Sequence, residues 1–325
     1  MHSTAVVTGA AGFLGSHLVE RLLGQGARVI ALDNFATGSA ANHLYLDSLP
    51  GAAERLRFVR ADASVAWNPW LDALPKDWKT SLRGIFHLAS PASPPHYQRL
   101  ALETLWVNSL GLNQALETGR TYGARVIFAS TSEVYGDPTV SPQPESYWGN
   151  VNSIGIRACY DEAKRFGEAL LTSFDRRHGT RNGVVRIFNT YGPRMNPDDG
   201  RVVINFLVQA LRGEALTVYG DGQQTRSFCY VDDLIDGILK FFSSGHAGPM
   251  NLGNETEFTI SQLASAIRVL FPEKKLRIEH RELPGDDPKR RRPDLTLARR
   301  ELGWEPRVAL SEGLQKMAEW LARAQ

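Results

Sequence analysis

Cysteine is scarce in this chain: Cys159 and Cys229 are the two in 325 residues, far apart and in no Cys-x-x-Cys pair. A disulfide framework and a thiolate metal cluster are thereby excluded. Long apolar runs are lacking as well, since no stretch approaches the roughly 18 apolar residues a membrane helix requires. The chain opens almost at once on a strand-like run, which predicts that no secretory or other targeting segment is present. Charge of one sign is not in excess: 37 Lys and Arg face 35 Asp and Glu, a net of +2. That balance argues against general capture of nucleic acid or of an anionic membrane, while leaving room for a local basic pocket. The eight histidines show no HxxH or HExxH spacing, so no metal site is expected, and His87 reads as a packed strand residue. Repeats and low-complexity blocks are missing too. These absences predict a reduced, cytoplasmic, globular protein.

What is present is an ordinary globular composition, 42% hydrophobic and 22% charged. A chain of this length leads one to expect two domains, or one large α/β domain with a smaller appendage. The first half alternates strand and helix patterns, the signature of βαβ units and a parallel sheet. Thr4–Thr8 is a short apolar run, and Phe13–Gln25 reads as a helix with Leu14, Leu18, Leu22 and Leu23 on one stripe. Arg28–Leu32, Leu56–Arg60, Gly84–Ala89, Arg125–Ser130 and Gly183–Phe188 read as further strands, with long helical patterns at Tyr97–Tyr122 and Ile156–Arg177. Beyond residue 190 the pieces shorten. Val202–Arg212, Val231–Phe242, Ile260–Leu270 and Leu310–Ala324 read as helices, with short strands at Leu216–Tyr219 and Met250–Leu252. The expected fold class is α/β, a doubly wound parallel sheet over residues 1–190 and a smaller α/β domain over 191–325, with segments free to interleave. Ligands in such sheets bind at the carboxyl ends of the strands.

Gly9-Ala10-Ala11-Gly12-Phe13-Leu14-Gly15 joins the first strand to the first helix. One glycine makes a tight turn, one lets backbone N–H groups approach a pyrophosphate, and one lets the helix pack on the strand. Asp33 follows at the end of the second strand, where a carboxylate accepts hydrogen bonds from ribose hydroxyls. No Arg or Lys lies in Asp33–Gly38, which favours NAD over NADP. Asp62 after the third strand suits an adenine amino group, or equally a solvated turn. Tyr160 and Lys164 stand one turn apart on a predicted helix and share a face. A neighbouring ammonium favours phenolate, so Tyr160 is a candidate proton-transfer group. A hydroxyl-bearing turn, Ser130-Thr131-Ser132-Glu133-Val134-Tyr135-Gly136, follows a strand and belongs at the same edge.

Together these features resemble an extended short-chain dehydrogenase/reductase of Rossmann type. Phe188–Pro193 and Val218–Gly222 extend the likeness to members that modify nucleotide-sugars. A narrower likeness is carried by His87–Pro95, Ala129–Pro138, Arg157–Lys164, Arg186–Met195, Asp199–Val203, Gln224–Arg226 and Arg292-Pro293-Asp294. These strings resemble the UDP-glucuronate decarboxylase (UDP-xylose synthase) family, and the likeness spans essentially the whole chain. It implies tightly bound NAD, held by Gly9, Gly12, Phe13, Leu14, Gly15, Asp33, Asn34, Phe35, Thr37, Gly38, Asp62, Leu88, Ala89, Ser90, Thr190 and Arg201 with Tyr160 and Lys164. It implies a catalytic set of Thr131, Ser132, Glu133, Tyr160, Lys164 and Arg226, and UDP-glucuronate contacts at Tyr97, Asn189, Arg194, Val203, Tyr219, Arg226 and Arg292. Arg194, Arg226 and Arg292 would then converge on one diphosphate, or Arg226 would instead face the sugar carboxylate or its enolate. The run Lys289–Arg292 reads as part of that pocket or as a solvated loop rather than as a nucleic-acid patch.

The expected chemistry begins with oxidation of the sugar C4 hydroxyl. With a carboxylate on C5, the 4-ketone makes a β-keto acid that loses carbon dioxide once the enolate oxygen is stabilised. Re-reduction gives UDP-xylose, or UDP-4-keto-xylose escapes first. The related 4,6-dehydratases carry Thr-Asp-Glu at the turn; here Ser132 replaces the acid, and a serine hydroxyl is too weak an acid to expel hydroxide. A 4,6-dehydratase or 4-epimerase is the alternative, and a non-catalytic NAD-sensing module a more distant one. Two departures stand out. Trp106-Val107-Asn108 occurs where the resemblance implies Lys-Thr-Asn, which would remove a cation facing the ligand, and Asn152–Ile156 lacks two expected prolines. The resemblance also implies a homodimer through a four-helix interface, which apolar Leu100, Leu105 and Phe166 permit.

Overall fold

The computed structural model describes residues 3–282 and 290–324, so Lys289 of the basic run lies outside the described residues. Strands in chain order are β1 (Thr4–Thr8), β2 (Arg28–Asp33), β3 (Leu56–Arg60), β4 (Leu82–His87), β5 (Arg125–Thr131), β6 (Gly183–Ile187) and β7 (Thr190–Tyr191). Then come β8 (Leu216–Tyr219), β9 (Thr225–Ser227), β10 (Cys229–Tyr230), β11 (Pro249–Leu252), β12 (Glu257–Thr259), β13 (Ile278–Arg281) and β14 (Arg290–Arg291). Seven of them form one sheet in the order β11-β6-β5-β4-β1-β2-β3, every pairing parallel. This is the Rossmann-like arrangement, and its strand order reverses between β1 and β4, the crevice where such sheets take ligands.

Strand alternation distributes the core. Ala5 and Val7 of β1 face one side with Val29 and Ala31 of β2, while Val6, Ile30 and Leu32 face the other. The Phe13–Gly24 and Val231–Ser244 helices cover the first face; Leu112–Tyr122 and Ala158–His178 cover the second. The strand at Pro249–Leu252 lies beyond residue 190 in the chain, yet it is the sheet's edge, paired to β6. The smaller layer over the carboxyl edge contains the sheets β12-β9-β14, β13-β8 and β10-β7.

The continuous helix expected over 97–122 is broken. Helices run Pro94–Arg99 and Ala101–Trp106, a wide π turn spans Val107–Gly111, and a regular helix resumes at Leu112. Leu100 leaves helical geometry at φ −116, ψ 48. At the π turn a Cβ on Gly111 would come within 3.1 Å of the Ala63 carbonyl oxygen, and the Val107 carbonyl accepts from His87 Nε2 at 2.9 Å. Such bulges sit preferentially at functional sites, and Val107 lines the cavity described next. Trp106 is half exposed and is not on the cavity wall, so the substitution there takes no charge from a ligand-facing position.

Candidate active site

Six strand ends and the overlying layer enclose one cavity of about 610 Å³. Every residue singled out from the sequence for cofactor, substrate or catalysis lines it, except Phe35 and Arg292. Phe35 instead stacks its ring on Phe58 at 5.4 Å, and its amide rather than its ring serves the site, donating to Asp33 Oδ1 at 2.7 Å.

The glycine turn has the expected physical basis. Gly9 has φ +70, and a Cβ there would meet the Ala89 amide nitrogen at 2.9 Å. A Cβ on Gly15 would meet the Gly9 carbonyl oxygen at 2.0 Å, so helix and turn touch only because it is absent. The Phe13–Gly24 helix has no side-chain cap at Gly12 and no acid in its first turn, leaving its N–H groups for an anion. Asp33 is buried and is fixed by the amides of Ala11 and Phe35. Burial pushes its carboxyl up, and those two amides offset part of the rise. Asn34 Nδ2 donates to Asp62 at 3.0 Å, linking the two strand-end acids. A dinucleotide fits this edge: it finds an uncapped helix N-terminus, close backbone approach and an anchored acid. His87, fully buried, bridges Thr8 Oγ1 (3.0 Å) and the Val107 carbonyl, and burial lowers it to about 4.

The catalytic candidates meet at the end of β5. Thr131 caps the short Ser132–Tyr135 turn, and its hydroxyl lies beside the Tyr160 phenol and favours the phenolate. Burial pushes that phenol up to about 12. Lys164, one turn on, donates to the Ala129 carbonyl at 2.7 Å, and burial brings its ammonium down to about 7. Tyr97 stacks on Tyr160 with centroids 5.0 Å apart and planes within 7°, and its buried Oη has no partner among the described residues. Arg201 is paired with Asp199, with one hydrogen bond at 2.9 Å.

Sequence reasoning missed Arg291 and Arg157. Arg291 donates to Ser132 Oγ at 3.1 Å and to Glu133 at 2.7 Å, and Arg157 pairs with the same carboxylate. Burial alone would push Glu133 up; Arg291 and Arg157 outweigh it and hold the carboxyl well below the usual range. The opposite holds at Asp161: burial, reinforced by Glu133, pushes it up. Pairing explains the shift from Arg292 to Arg291. In the parallel pair of β14 with β9, Arg291 lies beside Arg226, so both share a face toward the cavity. Arg292 alternates to the other face and approaches Glu257 at 3.7 Å. The run of basic residues was visible in the sequence, but its register against β9 was not. Arg194 does line the cavity, with its guanidinium committed to Glu20 at 2.7 Å.

Residues 5–253 match the model of the NAD dependent epimerase/dehydratase family. UDP-glucuronic acid decarboxylase 5 of Arabidopsis thaliana is 47% identical over 97% of this chain and 88% of its own length. UDP-glucuronic acid decarboxylase 1 of Danio rerio is 45% identical over 98% of this chain and 72% of its own. Among solved structures, the UDP-glucuronic acid 4-epimerase from Bacillus cereus, in complex with UDP-glucuronic acid and NAD, superposes with a TM-score of 0.86 at 26% identity, covering 99% of this chain and 100% of that one. The UDP-glucose 4-epimerase of Thermotoga maritima with UDP-glucose gives 0.87 at 30% identity, covering 99% of each chain. The chain belongs to the NAD dependent epimerase/dehydratase family, and within it sits with the UDP-glucuronic acid decarboxylases.

Proposed function

We propose that the protein converts UDP-glucuronate to UDP-xylose and carbon dioxide, with NAD as a recycled cofactor. The observation that carries this reading is the turn after β5. Thr131 stands beside Tyr160, Ser132 stands where an expelling acid would be needed, and Glu133 is held ionised by two guanidiniums. A site so arranged can take and return a proton at the C4 oxygen but has no acid ready to expel the C6 hydroxyl, which disfavours the dehydratase alternative.

NAD, held along Gly9–Gly15 and Asp33, supplies a hydride acceptor for C4 and later a donor. Tyr160 takes the C4 hydroxyl proton, and Thr131 hydrogen-bonds the same oxygen. Charged Lys164 favours the phenolate form that this step requires. The ketone lies β to the carboxylate, so the C5–C6 bond breaks with its electron pair moving into an enolate whose oxygen is C4's. Tyr160, now protonated, and Thr131 donate to that oxygen and stabilise the charge. C5 takes a proton from water, which ionised Glu133 orients, and Tyr160 returns its proton as C4 is reduced again. The net change is one proton consumed and one carbon dioxide released. Early escape yields some UDP-4-keto-xylose.

Residues 1–190 mainly hold the cofactor and the proton-transfer set, and 191–325 mainly hold the nucleotide-sugar. Tyr97, Asn189, Val203, Tyr219 and Arg226 are the substrate contacts, joined by Arg291. A homodimer is supported by Leu102, Leu105, Trp106, Leu110 and Phe166, which expose apolar surface on the 101–111 segment and the Ala158–His178 helix. A reducing cytoplasm suits the unpaired thiols of Cys159 and Cys229. Among the described residues no helix is long and apolar enough to cross a membrane.

The test is incubation of the purified protein with UDP-glucuronate, with and without added NAD, following carbon dioxide and sugar-nucleotide masses. Release of carbon dioxide with a UDP-pentose is expected. An epimer of unchanged mass, or loss of water without carbon dioxide, overturns the reading.

A further inference from the structure

Arg194 combines three features that a simple diphosphate ligand would not need. It is a non-glycine residue at φ +65, a left-handed conformation that persists only when its surroundings enforce it. Its guanidinium is more than nine-tenths buried and points its Nη2 at Glu20 (2.7 Å) while lying 4.6 Å over the Tyr45 ring. Its Nε is buried with no partner among the described residues.

The surroundings that enforce this come from both sides of the glycine turn. Tyr45 Oη donates to the second oxygen of Glu20 at 2.6 Å, completing a three-residue link. Burial alone would push Glu20 up; the Tyr45 hydroxyl and Arg194 outweigh it, so the carboxyl lies below its ordinary value and stays ionised near neutrality. Asn42 Nδ2 donates both to the Ala11 carbonyl (3.1 Å) and to the Arg194 carbonyl (3.2 Å), tying this segment to the glycine turn itself. His17 donates from Nε2 to the Pro193 carbonyl at 2.9 Å, and burial, with Arg194 adding to it, keeps the imidazole neutral. The Pro193–Arg194 segment is thus bolted to the helices Phe13–Gly24 and Ala40–Asp47, which flank the dinucleotide edge.

We propose that this segment is a clamp over the cofactor end of the cavity, and that Arg194 sets how long the dinucleotide is retained rather than gripping the diphosphate of the nucleotide-sugar. The inference rests on the NAD-dependent decarboxylase reading above. Arg194 and Glu20 neutralise one another, so the pair adds little net attraction for an incoming anion and acts as a fastener. The remaining Nε serves a ligand oxygen beside the turn that Asn42 touches. Retention matters because the hydride is on loan between the two halves of the reaction. If the reduced dinucleotide leaves early, UDP-4-keto-xylose cannot be reduced. The clamp therefore governs the partition between pentose and ketopentose.

Glu20 and Tyr45 do not line the cavity, so substituting them leaves every ligand contact in place. The experiment compares parent, Glu20→Gln, Tyr45→Phe and Arg194→Lys. It measures NADH dissociation by fluorescence in the absence of any sugar nucleotide, the KM for UDP-glucuronate, the ketopentose fraction and the melting temperature. Losing one charge-assisted link predicts NADH release faster by about tenfold in Glu20→Gln and Arg194→Lys, with less in Tyr45→Phe. KM should stay within about twofold while the ketopentose fraction rises in the same order, since substrate binding keeps its contacts. Unchanged NADH release in variants that melt like the parent overturns the clamp, as does a KM increase without faster release. Because NADH release is read without sugar, failure of the decarboxylase reading would show separately, as absent carbon dioxide from the parent.

Discussion

The two walls of the cavity recognise their ligands by different means. Along β1 and β2 the wall is mostly backbone: an uncapped helix start, a turn open only because Gly9 and Gly15 lack side chains, and one acid anchored by two amides. The opposite wall, from the turn after β5 across to β9 and β14, is rich in guanidiniums that already have a carboxylate: Arg291 and Arg157 share Glu133, and Arg201 pairs with Asp199; at the dinucleotide edge Arg194 is likewise committed to Glu20. The backbone wall is specified by neighbours in sequence. The charged wall is specified largely by pairing across the fold, and its positive charge is already partly neutralised. The idea of three arginines converging freely on a diphosphate gives way to one in which paired charges hold a shape.

The seam between the walls offers the largest effect. Tyr160→Phe should lower kcat by about 10²–10⁴-fold, the usual worth of a positioned proton-transfer group, while NADH binding persists. Steady-state kinetics beside a cofactor titration checks this; a loss of binding equal to the loss of rate would make the phenol part of the cofactor wall instead.

Next comes the neighbouring pair in the charged wall. Arg291→Met should cost about 3 kcal/mol of stability, the low end for a broken buried pair because Arg157 stays on Glu133, and should depress kcat strongly. Arg292→Met should stay within about 0.5 kcal/mol, as a half-exposed ion pair predicts. Urea unfolding and turnover of the two variants side by side decide it. Equal sensitivity would mean that the register of β14 against β9 does not govern the site.

The backbone wall is probed by Gly15→Ala. The added methyl meets the Gly9 carbonyl, so overpacking should cost about 1–3 kcal/mol and cofactor affinity should fall with it. A variant of normal stability that binds NADH normally would show that the wall yields.

A pH-dependent effect concerns Lys164. Its ammonium falls from an unfolded value of 10.5 to about 7 on burial. The folded state therefore binds fewer protons between those limits, and stability rises with pH across that window. The burial cost is full below pH 7 and fades toward pH 10.5. Lys164→Met should be the more stable protein at pH 7, with the gap narrowing by pH 10. Urea midpoints across that range give the answer, and a widening gap would reverse the sign.

Legibility in the sequence follows the same division. The strand runs, the glycine turn, Asp33 and the Tyr160/Lys164 spacing could be read directly, because each depends on residues within a turn or two of one another. Trp106 shows the limit: its neighbour Val107 reaches the cavity while Trp106 is half exposed and off the cavity wall, and the sequence revealed neither the break at Leu100 nor the wide turn that follows. Leu100, read as a possible dimer contact, likewise lines the cavity.

By itself the sequence determined the α/β class, the glycine turn with the acid that follows it, and the helical Tyr160/Lys164 pair, since hydrophobic period, glycine sterics and helical spacing are local properties. Tertiary structure decided which arginine of a basic run enters the site, which guanidiniums are already neutralised, and that a strand beyond residue 190 completes the sheet. Those outcomes depend on register and on partners far off in the chain, and a side chain's face is set only when its strand finds its neighbour.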